Sequence, residues 1–182
     1  RLLGVSMTGH LDNHLLNNPD DPYLPAQLER ITNAVILTNT KLAEEIGIPA
    51  SVATTAIKPE GTVSQLVGKD DNAVSSGHHP QHSEFFIRRV RGDVKDPMTQ
   101  FMIAKGVPWE PCVMQPASTV VFSFAKKAPK DAILKADLGA IEHLKLWLVY
   151  QRHYCEHKPS VTISVKEKEW PAVGAFVWEY FD

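Results

Sequence analysis

Cysteine is almost missing from this chain: Cys112 and Cys155 are the only two in 182 residues. Two thiols exclude a disulfide framework and a four-cysteine metal site, and both read as buried or idle. No apolar run approaches the roughly 18 residues that a membrane span needs. The first residues, RLLGVSMTGH, have neither the long apolar core nor the cleavage site of a signal peptide. The expected location is therefore cytoplasmic, with no membrane partner. Charge of one sign is also lacking: the formal net charge of -2 gives no general pull toward nucleic acid or an anionic surface, so any phosphate binding must be local. Internal repeats and low-complexity segments are absent too.

What is present is an ordinary globular composition, 43% hydrophobic and 22% charged, long enough for one domain with a sizeable core or for a piece of something larger. Arg1 stands just before a strand-like run instead of in a loose tail, which points to a chain cut from a longer protein. Leu2 to Met7 reads as a short strand, and HLDNHLLNNPDDP as a short helix followed by a polar loop. From Gln27 to Ile46, apolar residues recur at three- and four-residue spacing until Gly47 and Pro49 supply a stop. SVATTAI is uncharged and β-branched, as in a strand buried on both faces. Gly68 to Ser83 is loop-like, EFFIRRVRG and STVVFSFA read as strands, and a short helix is expected at Pro97 to Lys105. Asp137 to His157 reads as a long helix, SVTISV as a last strand, and EKEWPAVGAFVWEYF as a helix with Pro171 in its first turn. Alternating strands and helices, about five of each, give an α/β class with a largely parallel sheet.

Several groupings could carry chemistry. In KPEGTVS, Lys58 to Ser64, a strand ending near Ile57 and a turn beginning near Thr62 would leave the amides after Gly61 at the carboxyl edge of the sheet, where open α/β folds bind ligands. Gly61 lets an anion approach the backbone, Thr62 and Ser64 add hydroxyls, and Lys58 adds a charge, whereas the Glu60 carboxylate would repel a phosphate unless it points away. A plain strand-to-loop turn fits the same residues. His10 with His14, and His153 with Cys155 and His157, have helical spacing for a shared metal, yet both lack the glutamate of a His-Glu-x-x-His site; structural histidines are the better reading, and no metal is expected. In FFIRRVR, strand alternation puts Arg89 and Arg91 on one face and Arg88 on the other, so there is no continuous basic stripe for nucleic acid. Arginines pairing with carboxylates and arginines binding an anion both remain open.

Taken together, KPEGTVSQLVG, SSGHHPQHSEFFIRRVRG, VVFSF and LKLWLVYQRHYCEHKPSVTISV, in this order, resemble the C-terminal half of the catalytic barrel of adenosylcobalamin-dependent (class II) ribonucleotide reductases, in particular the monomeric branch that reduces ribonucleoside triphosphates. RLLGVSMTGHLD is similar to a segment that re-enters the barrel earlier. The resemblance implies a partial ten-stranded α/β barrel of the ribonucleotide reductase type, about five strands with connecting helices, making residues 1–182 a fragment of a single catalytic domain. It implies a radical oxidoreductase that converts ribonucleotides to deoxyribonucleotides for DNA synthesis, with adenosylcobalamin as cofactor, a ribonucleoside triphosphate as substrate, and a deoxynucleotide effector and thioredoxin-like reductant in the full-length enzyme. By position, the substrate phosphates fall on Pro59, Glu60, Gly61, Thr62, Val63 and Ser64. Ser75, Ser76, Gly77 and His78 match a loop near the active site.

Departures from the pattern carry equal weight. The radical cysteine of such enzymes lies in an Asn-Pro-Cys-Gly-Glu motif, and neither EPCVM around Cys112 nor YCEH around Cys155 matches it. No catalytic residue is therefore assigned to this chain, and alone it is expected to be inactive. A standalone nucleotide- or phosphate-binding remnant is the alternative. A cut barrel leaves unpaired strand edges and exposed apolar surface, so the isolated polypeptide is expected to be marginally stable.

Overall fold

The computed structural model describes residues 2–68 and 72–181; the part of the expected loop at 69–71 lies outside them. In chain order its elements are β1 (Leu2–Val5), α1 (Leu24–Ile46), β2 (Ala53–Thr55), α2 (Val63–Leu66), β3 (Phe85–Asp93), α3 (Pro97–Ala104), β4 (Trp109–Pro111), β5 (Thr119–Lys127), α4 (Ala140–His153) and α5 (Trp170–Glu179). They fall into two compact units, one of Arg1–Ser83 with Ala128–Asp182 and one of Glu84–Lys127.

In the first unit β1 and β2 pair in parallel, Leu2 opposite Ala53 and Val5 opposite Thr55. Helix α1 starts with a proline in its first turn, where a missing N–H is harmless, and ends at Gly47, whose φ of 69° lets the Ile48 amide bond back to the Ala43 carbonyl at 2.9 Å. Its Leu24 and Leu28 join Leu11, Ile57, Leu146, Tyr150, Tyr154 and Cys155 in the main core. A smaller core holds Ala140, Leu144 and Val173 between α4 and α5. The rest of the apolar stripe expected on α1 does not reach a core. Ile31 and Leu42 are 38% and 49% exposed and, with Val35, line an open groove of about 890 Å³ beside Leu3 and Val5 of β1.

SVTISV departs from expectation, because residues 160–165 form no strand. The chain instead runs beside β2 through two bonds, His157 amide to Thr55 carbonyl at 3.0 Å and Ser160 amide to Ile57 carbonyl at 2.8 Å. Pro159 between them has no amide to give, and Glu156 takes up the β2 amides with its side chain: the Thr54 amide and hydroxyl donate to Oε2 at 2.7 and 2.6 Å. A carboxylate thus stands where a neighbouring strand's carbonyl would be.

The second unit is an antiparallel sheet of order β3-β5-β4, so among the described strands the parallel arrangement read from the sequence is confined to the β1–β2 pair. The central position of β5 buries Val120, Val121 and Phe122. Strand β4, Trp109–Pro111, is not among the strands expected from the sequence; three residues are too few for a period-2 pattern to register. Asp96 caps α3 by accepting the Thr99 amide. Gly92 has no room for a Cβ, because Thr99 packs against it.

Candidate functional site

The turn after β2 is built by backbone geometry. Ala56 and Ile57 are buried, while Lys58 and Pro59 emerge at the surface, with the Lys58 amide donating to Ser6 Oγ at 2.9 Å. Glu60 has a φ of 54°, the left-handed region, which costs an L-residue roughly 1–2 kcal/mol. That kink turns the chain into α2, where the Ser64 amide donates to the Glu60 carbonyl and the Gln65 amide to the Thr62 carbonyl, both at 3.0 Å. Gln65 Nε2 also donates to the Gly61 carbonyl at 2.6 Å. No hydrogen bond from the Gly61, Thr62 or Val63 amide to a protein acceptor occurs among the described residues. All three are exposed, and a Cβ on Gly61 would meet nothing within 4 Å.

The structure brings the two candidate segments together. Ser64, 3% exposed, has its hydroxyl 2.9 Å from that of Ser76. Gly77, at φ 55°, passes so close to Lys58 that a Cβ would collide with the Lys58 carbonyl oxygen; only glycine combines that conformation with that approach. Ser75 is fixed on the other side, its carbonyl accepting from Thr8 Oγ1 at 2.8 Å and the Gly9 amide at 2.9 Å, its amide donating to Asp12 Oδ2 at 2.6 Å.

His78 is fully buried. His10 Nε2 lies 3.2 Å from its Nδ1, and His143 Nε2 donates to its carbonyl at 2.7 Å. Its ring stands edge-on to Tyr150, centroids 4.8 Å apart. Burial lowers the basicity of all three imidazoles, that of His10 to about 3, and the His10–His78 bond itself needs a lone pair on one ring. The same core pushes the Cys155 thiol up to about 12 through burial, leaving it inert at neutral pH. Sequence reasoning missed this trio because the partners are 65 and 68 residues apart. The helical pairs it weighed are not formed: His14 faces Asp131 at 3.8 Å, His153 pairs with Glu29 at 2.7 Å, and His157 Nε2 donates to the Leu3 carbonyl at 3.1 Å. Among the described residues no three His, Cys, Asp or Glu side chains converge as a metal-ligand set.

Close to the Ser75–His78 loop, a pocket of about 200 Å³ is lined by His79, His82, Lys135, His143, Thr162 and Ser164. His79 Nδ1 donates to the Ser76 carbonyl at 2.7 Å, leaving Nε2 to accept from Thr162 Oγ1 at 3.3 Å. In the second unit Arg89 pairs with Glu110, so for this arginine the carboxylate-pairing reading holds. The Cys112 thiol is lowered by backbone amides of Gln115 and Met114, with a further contribution from Arg91. No helix among the described residues is long and apolar enough to cross a membrane.

No protein-family model matches the chain. Over 164 residues, 90% of its length, it is 29% identical to the adenosylcobalamin-dependent ribonucleoside-triphosphate reductase of Euglena gracilis, and it is 24% identical over 88% to that of Lactobacillus helveticus. A crystal structure of a B12-dependent (class II) ribonucleotide reductase superposes on 88% of the chain with a TM-score of 0.72 at 23% identity. The likeness read from KPEGTVSQLVG and its companion segments is thus found along most of the chain, and the α/β fold is shared with the solved enzyme. The chain spans 22% and 21% of these two relatives and 22% of the solved chain.

Proposed function

We propose that this chain is part of an adenosylcobalamin-dependent ribonucleoside-triphosphate reductase, in which the turn Pro59–Ser64 forms the wall that holds the substrate's phosphates. The observation that carries the reading is the exposed run Gly61–Val63, three amides with no acceptor among the described residues, after β2 and with open space at Gly61. Consecutive free amides at the end of a parallel strand form a concave donor surface for an anion. Thr62 adds a hydroxyl and Lys58, exposed two residues before the kink, adds a positive charge. Ser64 is buried, so its part is to anchor the turn.

Under this reading the chain binds and orients substrate while the chemistry belongs to the longer protein. Adenosylcobalamin supplies radical generation there. The buried imidazoles do not fit it as ligands, since His10 and His78 are 2% and 0% exposed, and no residue described here is assigned to the cofactor. Neither cysteine lies in Asn-Pro-Cys-Gly-Glu, so the chain alone is inactive, and the effector and the thioredoxin-like reductant act on the complete enzyme. The exposed edge of β1, all four residues open to solvent, and the apolar groove between β1 and α1 are what a section of a ten-stranded barrel would present where the next strand and helix belong.

The test is a calorimetric titration of the 182-residue chain with inorganic triphosphate and with ATP. Binding of both, weakened about tenfold in Thr62→Val for a lost hydroxyl bond, supports the reading. Absence of binding to either at millimolar ligand defeats it. A standalone phosphate-binding remnant would give the same titration; the coding sequence upstream separates the two, because the reductase reading requires Asn-Pro-Cys-Gly-Glu in the same frame.

A further inference from the structure

The loop Ser75–His78 contains no regular element, yet each of its residues is tied to a different part of its unit. Ser75 is bonded to Thr8, Gly9 and Asp12; Ser76 to Ser64; Gly77 lies against the Lys58 carbonyl; and His78 is bonded through its ring to His10 and through its carbonyl to His143. Asp12 strengthens the base of the loop by accepting Gln81 Nε2 at 3.2 Å as well.

The turn that this loop touches has little of its own to hold it. Helix α2 is four residues long, far below the length at which a helix is stable by itself, and Glu60 is held in a conformation that persists only where surrounding contacts over-determine it. Ser76 grips Ser64 at the far end of the turn, and Gly77 abuts Lys58 at the near end, where the Lys58 amide also donates to Ser6 Oγ. Behind both stands His78, buried among His10, His143 and Tyr150. A turn held in this way by a segment rooted in a close-packed core cannot shift without breaking the Ser64–Ser76 bond or disturbing the packing of Gly77 on Lys58.

We propose that Ser76 and His78 are positioning residues, which act through Ser64 and Lys58 to hold the Glu60–Val63 turn in its open-amide conformation. This rests on the reading of that turn as a phosphate cradle, but its first test needs no ligand. Amide hydrogen exchange of the 182-residue chain reports the Ser64 amide, which donates to the Glu60 carbonyl. Ser76→Ala and His78→Leu should each speed its exchange about tenfold, the scale of one lost hydrogen bond, while amides in the middle of α1 keep their protection. His78→Asn, which keeps a polar atom near the Nδ1 position, should restore most of it. Should His78→Leu fail to fold, Ser76→Ala decides: an unchanged Ser64 exchange rate in that folded variant overturns the proposal. Titration with inorganic triphosphate then separates the two ideas. A wild-type chain that ignores triphosphate defeats the cradle and leaves the exchange result standing, whereas a chain that binds equally well with and without the Ser76 hydroxyl, with Ser64 protection unchanged, defeats positioning alone.

Discussion

His10 Nε2 and His78 Nδ1 lie 3.2 Å apart in a site where both side chains are at least 98% shielded from water, joining the turn after β1 to the loop beneath the candidate cradle. A bond between two ring nitrogens needs one N–H and one lone pair, so at least one ring must be neutral, and burial disfavours a charge on the other.

Acid should therefore loosen this core well above the range in which carboxylates titrate. The pKa of His10 falls from 6.5 to about 3 on folding and that of His78 is lowered too, both mainly by burial. Between those values the unfolded chain binds more protons than the folded one, so stability rises with pH. It is fully present above 6.5 and is lost as pH falls toward 3, by up to about 1.4 kcal/mol per pH unit for each imidazole. Urea melts at pH 8, 6 and 5 should show the loss, and replacing both histidines by Gln should flatten it. Equal midpoints at all three pH values would count against a neutral pair.

Gly77→Ala should cost about 2–4 kcal/mol, because a left-handed alanine is strained and its Cβ would strike the Lys58 carbonyl. Gly61→Ala should cost little, since a Cβ there meets open space. Thermal melts of the two variants side by side check the contrast.

Glu60→Gly should stabilise the chain by roughly 1 kcal/mol, because it removes the left-handed penalty on a non-glycine residue. If the turn holds phosphate, losing a carboxylate beside it should also tighten triphosphate binding, whereas a side chain directed away from the cradle predicts no change. Glu60→Gln isolates the charge from the backbone effect.

Glu156→Ala should destabilise the chain by about 1.5–3 kcal/mol, the scale of a hydrogen bond to a charged group. Its Oε2 accepts from the Thr54 amide and hydroxyl, which, led by the hydroxyl, keep its carboxyl below the usual range. The contribution is present at neutral pH and fades once pH falls below that range. Circular dichroism melts at pH 7 and pH 3 should show the variant's deficit shrinking as the pH is lowered.

On heating, and increasingly as its concentration rises, the isolated chain should melt broadly and associate, since Leu2, Leu3 and Val5 on β1 and Ile31, Leu42 and Ile46 on α1 are all exposed. A sharp, cooperative transition of a monomer, followed by light scattering, would contradict this.

Local chemistry is what the sequence determined. Helices α1, α3, α4 and α5 and strands β1, β2, β3 and β5 are legible because their periodicity, their prolines and glycines, and their β-branched runs act within a few residues. The turn at Glu60–Val63 could be singled out for the same reason, as glycine and hydroxyl residues after a buried strand report on backbone geometry nearby. The buried side chains that meet across the chain were decided by tertiary structure. His78 finds His10 and His143 only after some 65 residues are folded between them, Glu156 replaces a strand partner of β2 from about 100 residues away, and β3 and β5 pair antiparallel where alternation suggested otherwise. Such contacts depend on burial and register between distant segments, quantities that no local pattern encodes.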